Sequence, residues 1–459
     1  MTYQYGIHCR DCSASAAQKG RYHCRLCHVL RVHVILHPRQ LLQRLIGNSL
    51  GDGLLRNADF RRLWLTSALT QFGAQITLLA LPICAVLMLH ATPAQMGTLG
   101  ALESLPFLLF GLPSGVLLER CRRLPIMMCS DAMVATALAS VPLAWWLDAL
   151  TIHWLYAVGF VLGTGLVIGG SAEQVFLTFV VGRERLVDAH AKFAATESAA
   201  RLIGPGMAGA MVQLLGAPIA ILCNVAGFMV SLANLKRIRA REPQPAPANT
   251  HPLRDIRDGL AFVWNQRVLR TLAWTSGAWH FLFYGYMALH VLFATRMLGM
   301  APGVMGTAQM LGGAGILAGS VLVKPLSHRY GTGRAILVGL CSCALGYALM
   351  PAIPTTLFDS ALASAVAYAV VVFLLDCGAT LFFVPYIALR QRVTPDAMLG
   401  RMVATMRALT VATAPLGALA AGALAERFSV RAGLMCIAAG GLLLATGAVC
   451  ATRLGDVKD

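Results

Sequence analysis

From Phe60 onward, apolar residues run in stretches of membrane length, separated by short polar turns. Twelve such segments are predicted, near 62–89, 96–118, 125–147, 154–181, 189–215, 217–236, 268–297, 302–326, 334–352, 357–389, 398–425 and 430–452. Each is close to or beyond the roughly 20 residues a helix needs to cross a bilayer. The pattern is that of an all-α membrane protein with twelve transmembrane helices.

Between the second and third segments, Glu119, Arg120, Arg122 and Arg123 are packed into five residues. A charge knot that short cannot be a domain, so its charges serve packing, topology or gating. The longest central break is 237–267. It opens on Lys236, Arg237, Arg239 and Arg241, continues through a proline-rich spacer from Glu242 to Pro247, and ends in Leu253–Trp264. That last stretch is apolar on one helical face and is expected to lie along the inner membrane surface.

Six segments precede this linker and six follow it. Lys192–Thr196, leading to Gly204, Pro205 and Gly206, has a counterpart in Arg401–Thr405, leading to Pro415 and Gly417. The charged loop has a weaker echo in Lys324, Arg329 and Arg334, at nearly the same offset. Parallel repeats of this kind build a cavity where the halves meet, an architecture of transporters. The predicted divisions are a cysteine- and base-rich cytoplasmic tail over 1–55, a first half over 56–236, the linker over 237–267, a second half over 268–452, and a cytoplasmic tail over 453–459.

Of 459 residues, 57% are hydrophobic and 12% charged, yet the net charge is +17. Such a charge raises the question of nucleic acid, but its placement answers it. Most of the 37 Lys and Arg fall in the termini or in the loops 119–124, 182–192, 236–270, 324–334 and 390–401, whereas Arg296, Arg427 and Arg431 lie in the opposite set. That is the positive-inside asymmetry, with both termini cytoplasmic. No nucleic-acid partner is expected; the lipid bilayer is.

Charges inside the spans cost about 2.5–3.5 kcal/mol each on insertion scales, so each needs a partner or a task. Glu103, in the second segment, reads either as a proton or substrate site or as a structural carboxylate bonded to a neighbouring helix. Glu173 and Gln174 in the fourth segment match Arg201 of the fifth in depth, and Glu197 shares a helix face with Arg201. A cluster of Glu173, Glu197 and Arg201 would work as a proton switch or as a static ion pair. Asp376 and Arg407 occupy the corresponding helices of the second half, at depths that match poorly. Asp131 is read as structural, and His280 and His290 as packing residues. Phe281, Phe283 and Tyr284 would suit interface belts or a pocket for a bulky amphipathic molecule. In the tail, Cys9, Cys12, Cys24 and Cys27 have a spacing that resembles a zinc knuckle, set against the alternative of a disordered basic tail. No cofactor is implied, and no phosphate-binding loop of the Gly-x4-Gly-Lys-Ser/Thr kind occurs, which argues against ATP-driven transport and, with no catalytic triad, against an enzyme.

Gly115, Glu119, Arg120 and Arg123 together resemble the signature loop of the major facilitator superfamily. Phe60–Trp64, Gly100–Gly111, Arg183–Val187, Leu389–Pro395 and Leu399–Arg401 are similar to its bacterial exporter branch, which includes macrolide efflux and enterobactin export proteins. The resemblance covers about 60–455. It implies the major facilitator fold of two six-helix pseudo-repeat halves in the bacterial inner membrane, acting as a monomer. It also implies secondary export of a hydrophobic or amphipathic small molecule by alternating access with proton antiport. By the same resemblance, Glu119 and Arg120 stand for the motif's acid and arginine, and Arg122 replaces a glycine. Gly204 and Pro205 stand in the antiporter-type motif of the fifth helix, and Pro415 and Gly417 are their echo. Where the branch usually carries acids, this chain has Ala74, Gly170 and Asn224, and Phe382–Phe383 replaces a Tyr-Asn pair. These departures keep an uncoupled facilitator or uptake transporter open. A membrane sensor or scaffold with a metal-binding tail is the reading of another class. If the tail is accessory, a chain lacking residues 1–55 retains transport in a vesicle assay, a result that would sink the reading of a non-transporting sensor or scaffold.

Overall fold

The computed structural model describes residues 53–111, 113–240, 242 and 252–451. Cys9, Cys12, Cys24 and Cys27, with the tail 453–459, lie outside these residues, and so does most of the spacer after Glu242. Gly53–Arg56 forms a short helical turn, and the described residues from Asn57 onward form one unit.

Each predicted segment is helical. The helices are α1 (Ala58–Ile83), α2 (Pro93–Phe110), α3 (Arg123–Trp146), α4 (Ile152–Val181), α5 (Leu186–Leu215), α6 (Ala217–Lys236), α7 (Arg267–Leu292), α8 (Pro302–Tyr330), α9 (Thr332–Leu349), α10 (Ala361–Arg392), α11 (Asp396–Val411, resuming as Ala414–Arg427) and α12 (Val430–Ala451). Among the described residues, nine helical runs are long and apolar enough to cross a membrane. The other three predicted segments fall on α2, α5 and α7, which carry more polar residues. A separate helix, Pro113–Arg120, follows α2, and the predicted amphipathic stretch is a helix over Pro252–Asn265.

Helix ends follow local chemistry. The Asn57 side chain accepts from the Asp59 and Phe60 amides, and Thr92 with Gln95 forms a reciprocal capping box, which satisfies amides that have no intrahelical partner. Gly182 and Gly331 close α4 and α8 at φ of 72° and 91°, a region that favours glycine.

The first helix of each half ends alike. A π turn at Cys84–Met88 extends α1 and another at Phe293–Met297 extends α7. The amides of Leu89 and Leu298 donate back to Cys84 and Phe293, and those of Ala91 and Met300 to Ala85 and Ala294. Pro93 and Pro302 then open α2 and α8 at the same offset that relates Thr196 to Thr405. The repeat therefore extends to hydrogen-bond detail.

The halves meet through two crossings, α2 with α11 and α5 with α8. A Cβ on Gly97 would lie 2.9 Å from the Gly422 Cα, and one on Gly209 would lie 2.9 Å from the Gly306 Cα. Only hydrogen fits there, the small-residue route to close backbone approach in membranes. Both crossings lie at the far end of the bundle, opposite the basic loops. Valine at Gly306 is expected to force this crossing apart at a cost of about 1–3 kcal/mol for overpacking. Gly170→Ala, where a Cβ meets nothing within 4 Å, should melt at or above the parent. Thermal unfolding in detergent checks both.

Candidate functional site

At the far end, polar groups reinforce the glycine contacts, and they do so twice. The Glu426 carboxylate of α11 accepts from the Ala94 amide at the start of α2 (3.1 Å), and the Gln213 side-chain oxygen of α5 accepts from the Gly303 amide at the start of α8 (2.9 Å). Each helix N-terminus is thus capped by a side chain from the other half. Between the two π turns, the Arg296 guanidinium donates to the Val86 carbonyl at 3.0 Å. The basic end is different. Further inward, Gly313 of α8 abuts the α5 backbone at Arg201 and Leu202. There Arg201 and Glu197 bridge at 3.0 Å with side chains 52% and 44% exposed.

Glu103 projects from α2 against α4. A Cβ on Gly159 would lie 3.0 Å from its Cγ, and Gly163 receives the α2 backbone at Glu103 itself. From the other half, Tyr284 of α7 faces this carboxylate. Glu103 makes no ion pair among the described residues. Beside Tyr284, Trp279 and Phe283 stack at 4.6 Å, and Phe383 of α10 meets Trp279 edge-on at 4.7 Å. These rings form an aromatic wall on the second half, and Phe382–Phe383, which replaces the family's Tyr-Asn pair, is part of it.

The predicted cluster of Glu173, Glu197 and Arg201 does not form. Glu197 and Arg201 pair, but Gly165, Gly169 and Glu173 are spaced four apart and share a face of α4. Gly165 and Gly169 pack on Ser130 and Val134 of α3, so Glu173 is carried toward α3 and away from Arg201. Asp131 of α3 and Ser67 of α1 are its polar neighbours. Gln174, next along α4, instead lines a cleft of about 680 Å³ at the basic end.

The second carboxylate near Arg201 comes from the other half. Gly312 of α8 has no side chain where Asp376 of α10 places its carboxylate, and the adjacent Gly313 admits the Arg201 backbone. Consecutive glycines thereby bring Arg201 within electrostatic reach of Asp376. Arg407 is exposed on α11 and makes no ion pair among the described residues.

The antiporter-type motif packs α5 between two helices. Gly204 receives Gln75 of α1, while Gly206 and Gly209 receive Met310 and Gly306 of α8. Gly417 receives the α7 backbone at Phe281, the equivalent arrangement in the second half. The two copies differ in one respect. Helix α5 runs unbroken through Pro205, whereas α11 is interrupted before Pro415, with the Thr413 hydroxyl donating to the Gly277 carbonyl at 2.7 Å.

In the charged loop, Gly115 is open and Arg120 is exposed without an ion pair among the described residues. The Glu119 side chain lies outside them. Arg123 instead binds Glu242, at the start of the linker, at 3.0 Å. The same carboxylate accepts from the Arg123 and Leu124 amides at 2.7 and 3.3 Å, capping α3 with an anion where its dipole favours one. The sequence pattern assigns Glu242 to a spacer, and its one signal is being the lone acid beyond a basic run. The linker helix is tied to the second half by Asp258–Arg401 at 3.6 Å and by Gly259 against Thr405. Among the described residues no group of three or more His, Cys, Asp or Glu is arranged to hold a metal.

Two six-helix halves, crossed at one end and carrying charged and aromatic side chains on their facing helices, define a membrane transporter. The Major Facilitator Superfamily profile matches residues 63–414, and the chain belongs to that family. It is 28% identical over 403 residues to the multidrug efflux pump Tap of Mycolicibacterium fortuitum, covering 84% of this chain and 93% of that one. Its fold is similar to a mutant of the nucleoside transporter NupG (TM-score 0.72, 13% identity, 86% of this chain and 100% of that one). It is also similar to an inward-facing bacterial homologue of the iron transporter ferroportin (TM-score 0.67, 17% identity, 88% and 100%).

Arg296→Met removes the donor to Val86 and should loosen the far end. Cys84, buried in the α1 π turn, is the native reporter. Its labelling by a thiol reagent, read by mass spectrometry, is expected to rise severalfold.

Proposed function

We propose that the chain exports a hydrophobic or amphipathic small molecule from the cytoplasm by alternating access, as a proton antiporter acting as a monomer. In this reading the basic end and both termini face the cytoplasm of a bacterial cell, and the arrangement described is the inward-facing one. The observation that carries it is the contrast between the two ends. The far end is shut by glycine crossings and cross-half caps, while Arg201 and Glu197 stay exposed on the basic side. Glu103 has no cationic partner among the described residues and stands near an aromatic wall, a combination that suits a positively charged, ring-bearing molecule. The name of the M. fortuitum relative, a multidrug efflux pump, agrees with export.

Arg201 would move with the rocking of the halves. It holds Glu197 now, and Asp376 on the opposite half lies within its field, so closure of the basic end would shift it from one carboxylate to the other. The Arg123–Glu242 pair would keep the linker on the first half through the cycle. A rival reading, flux without coupling, is motivated by Ala74, Gly170 and Asn224, where the branch usually has acids. Asn224 is buried and donates to the Thr77 hydroxyl at 2.7 Å, a neutral bond in that place.

The test is ethidium efflux from cells that lack or overproduce the protein, with and without collapse of the pH gradient. Overproduction should raise efflux, and collapse should abolish the increment. Glu103→Gln and Arg201→Ala should each lower the increment on the order of tenfold, equivalent to about 1.4 kcal/mol in the barrier. Full efflux in both variants would refute these assignments, and gradient-independent efflux would favour the uncoupled facilitator.

A further inference from the structure

The first half contains a second polar site, set apart from the residues that face the other half. Asp131 of α3 and Glu173 of α4 lie within electrostatic reach of one another, and each is met by a serine from a further helix. The Ser231 hydroxyl of α6 donates to Asp131 Oδ2 at 2.6 Å, and Ser67 of α1 stands against Glu173. Both serines are buried. Glu173 Oε1 is sealed from solvent and has no hydrogen-bond partner among the described residues.

The other charged groups on the surrounding helices are engaged or turned elsewhere. On α1, Asp59 and Arg62 bridge at 3.1 Å near the basic end. Arg123, at the start of α3, is held by Glu242. On α5, Glu197 and Arg201 hold each other, while His190 lines the cleft beside Gln174 and Lys192 lies one turn before Glu197. On α6, Lys236 is at the helix end. Glu103 of α2 packs on Gly159 of α4, which lies about four turns along that helix from Glu173.

A count of donors then decides the chemistry. Two ionised carboxylates only accept, and the hydroxyls of Ser67 and Ser231 bring one proton each. Oε1 of Glu173 is left over, sealed from solvent, with a second like charge in electrostatic reach. One added proton cancels one charge and turns one acceptor into a donor, as in other carboxylate pairs that titrate as a unit. Two carboxylates and two hydroxyls are few ligands for a divalent ion, which takes six or more oxygens when it is calcium. A proton fits. The cleft at the basic end is lined on α4 by Gln174, Thr178 and Gly182, so its wall begins at the residue after Glu173, which is not itself part of it.

We propose that Asp131 and Glu173 form a proton-binding site within the first half, separate from the Glu103 and Arg201 region. Its part in coupling rests on the proton-driven export proposed above; proton binding itself does not. The step is simple protonation of the pair from water, with Ser67 and Ser231 reorienting to the carboxylate that keeps its charge. Because these residues come from α1, α3, α4 and α6, protonation changes the bonds that fix those helices to one another.

The experiment uses the full chain in lipid nanodiscs, with infrared difference spectra across a pH titration. A protonated-carboxyl band is expected in the wild type, lost in Glu173→Gln and shifted or lost in Asp131→Asn. Ser231→Ala should move the band without abolishing it, and melting curves check that each variant is folded. In proteoliposomes, ethidium efflux driven by a pH gradient should be lost in Glu173→Gln. Bands unaltered in both acid variants would overturn the site even if gradient-driven efflux by the wild type upholds antiport. A band that behaves as expected, with no gradient-driven efflux by the wild type, would uphold the site and overturn antiport.

Discussion

Everything in this molecule hangs on backbone meeting backbone at the far end. Gly97 against Gly422 and Gly209 against Gly306 let two helices of one half lie directly on two of the other. At that separation helix-start amides come within reach of Glu426 and Gln213, caps that a bulkier interface would hold out of range. In a bilayer, apolar burial gives helices little reason to associate, so packing and hydrogen bonds carry the association. The crossings therefore act as the pivot about which the basic end is free to differ.

The two halves share a scaffold and diverge in what they bury. Ser130 donates to the Gly165 carbonyl, tying α3 to α4, and Ser342 donates to the Leu374 carbonyl, tying α9 to α10. Around those equivalent ties, the first half encloses the acids Asp131 and Glu173. The second encloses Tyr286, Tyr347, Tyr368 and His290, with Gln309 3.4 Å from the His290 ring, and, among the described residues, a single acid, Asp376, against Gly312. A carboxylate pair has a hydrogen-bond count that depends on its proton.

The sequence shows the fold well because membrane helices are written in composition. Segment limits such as 217–236 coincide with α6, and the apolar face of Leu253–Trp264 predicts the linker helix. Partners across helices are harder to read. Depth alone groups Glu173 with Arg201, but helix rotation separates them, and rotation is set by Gly165 and Gly169 fitting Ser130 and Val134. Gly312 and Gly313 look like packing glycines, yet they decide that Asp376 faces Arg201. Glu242 is hidden because its partner lies more than a hundred residues earlier. The π turns after Ile83 and Leu292 have a signal in the common offset of Pro93 and Pro302, which a search confined to charged motifs passes over.

The linker shows how such local fits combine into motion. Glu242 fastens its start to α3 of the first half, and Asp258 and Gly259 fasten its helix to α11 of the second. Between these anchors the stretch 243–251 is long enough to reach roughly 30 Å when extended. The linker does not set the distance between the halves. It binds Arg123 and Arg401 each to a carboxylate, so the charged ends of α3 and α11 are occupied on the basic side. The close crossings at the far end and the anchors of the linker at the basic end are the arrangement that the proposed rocking of one half on the other would use.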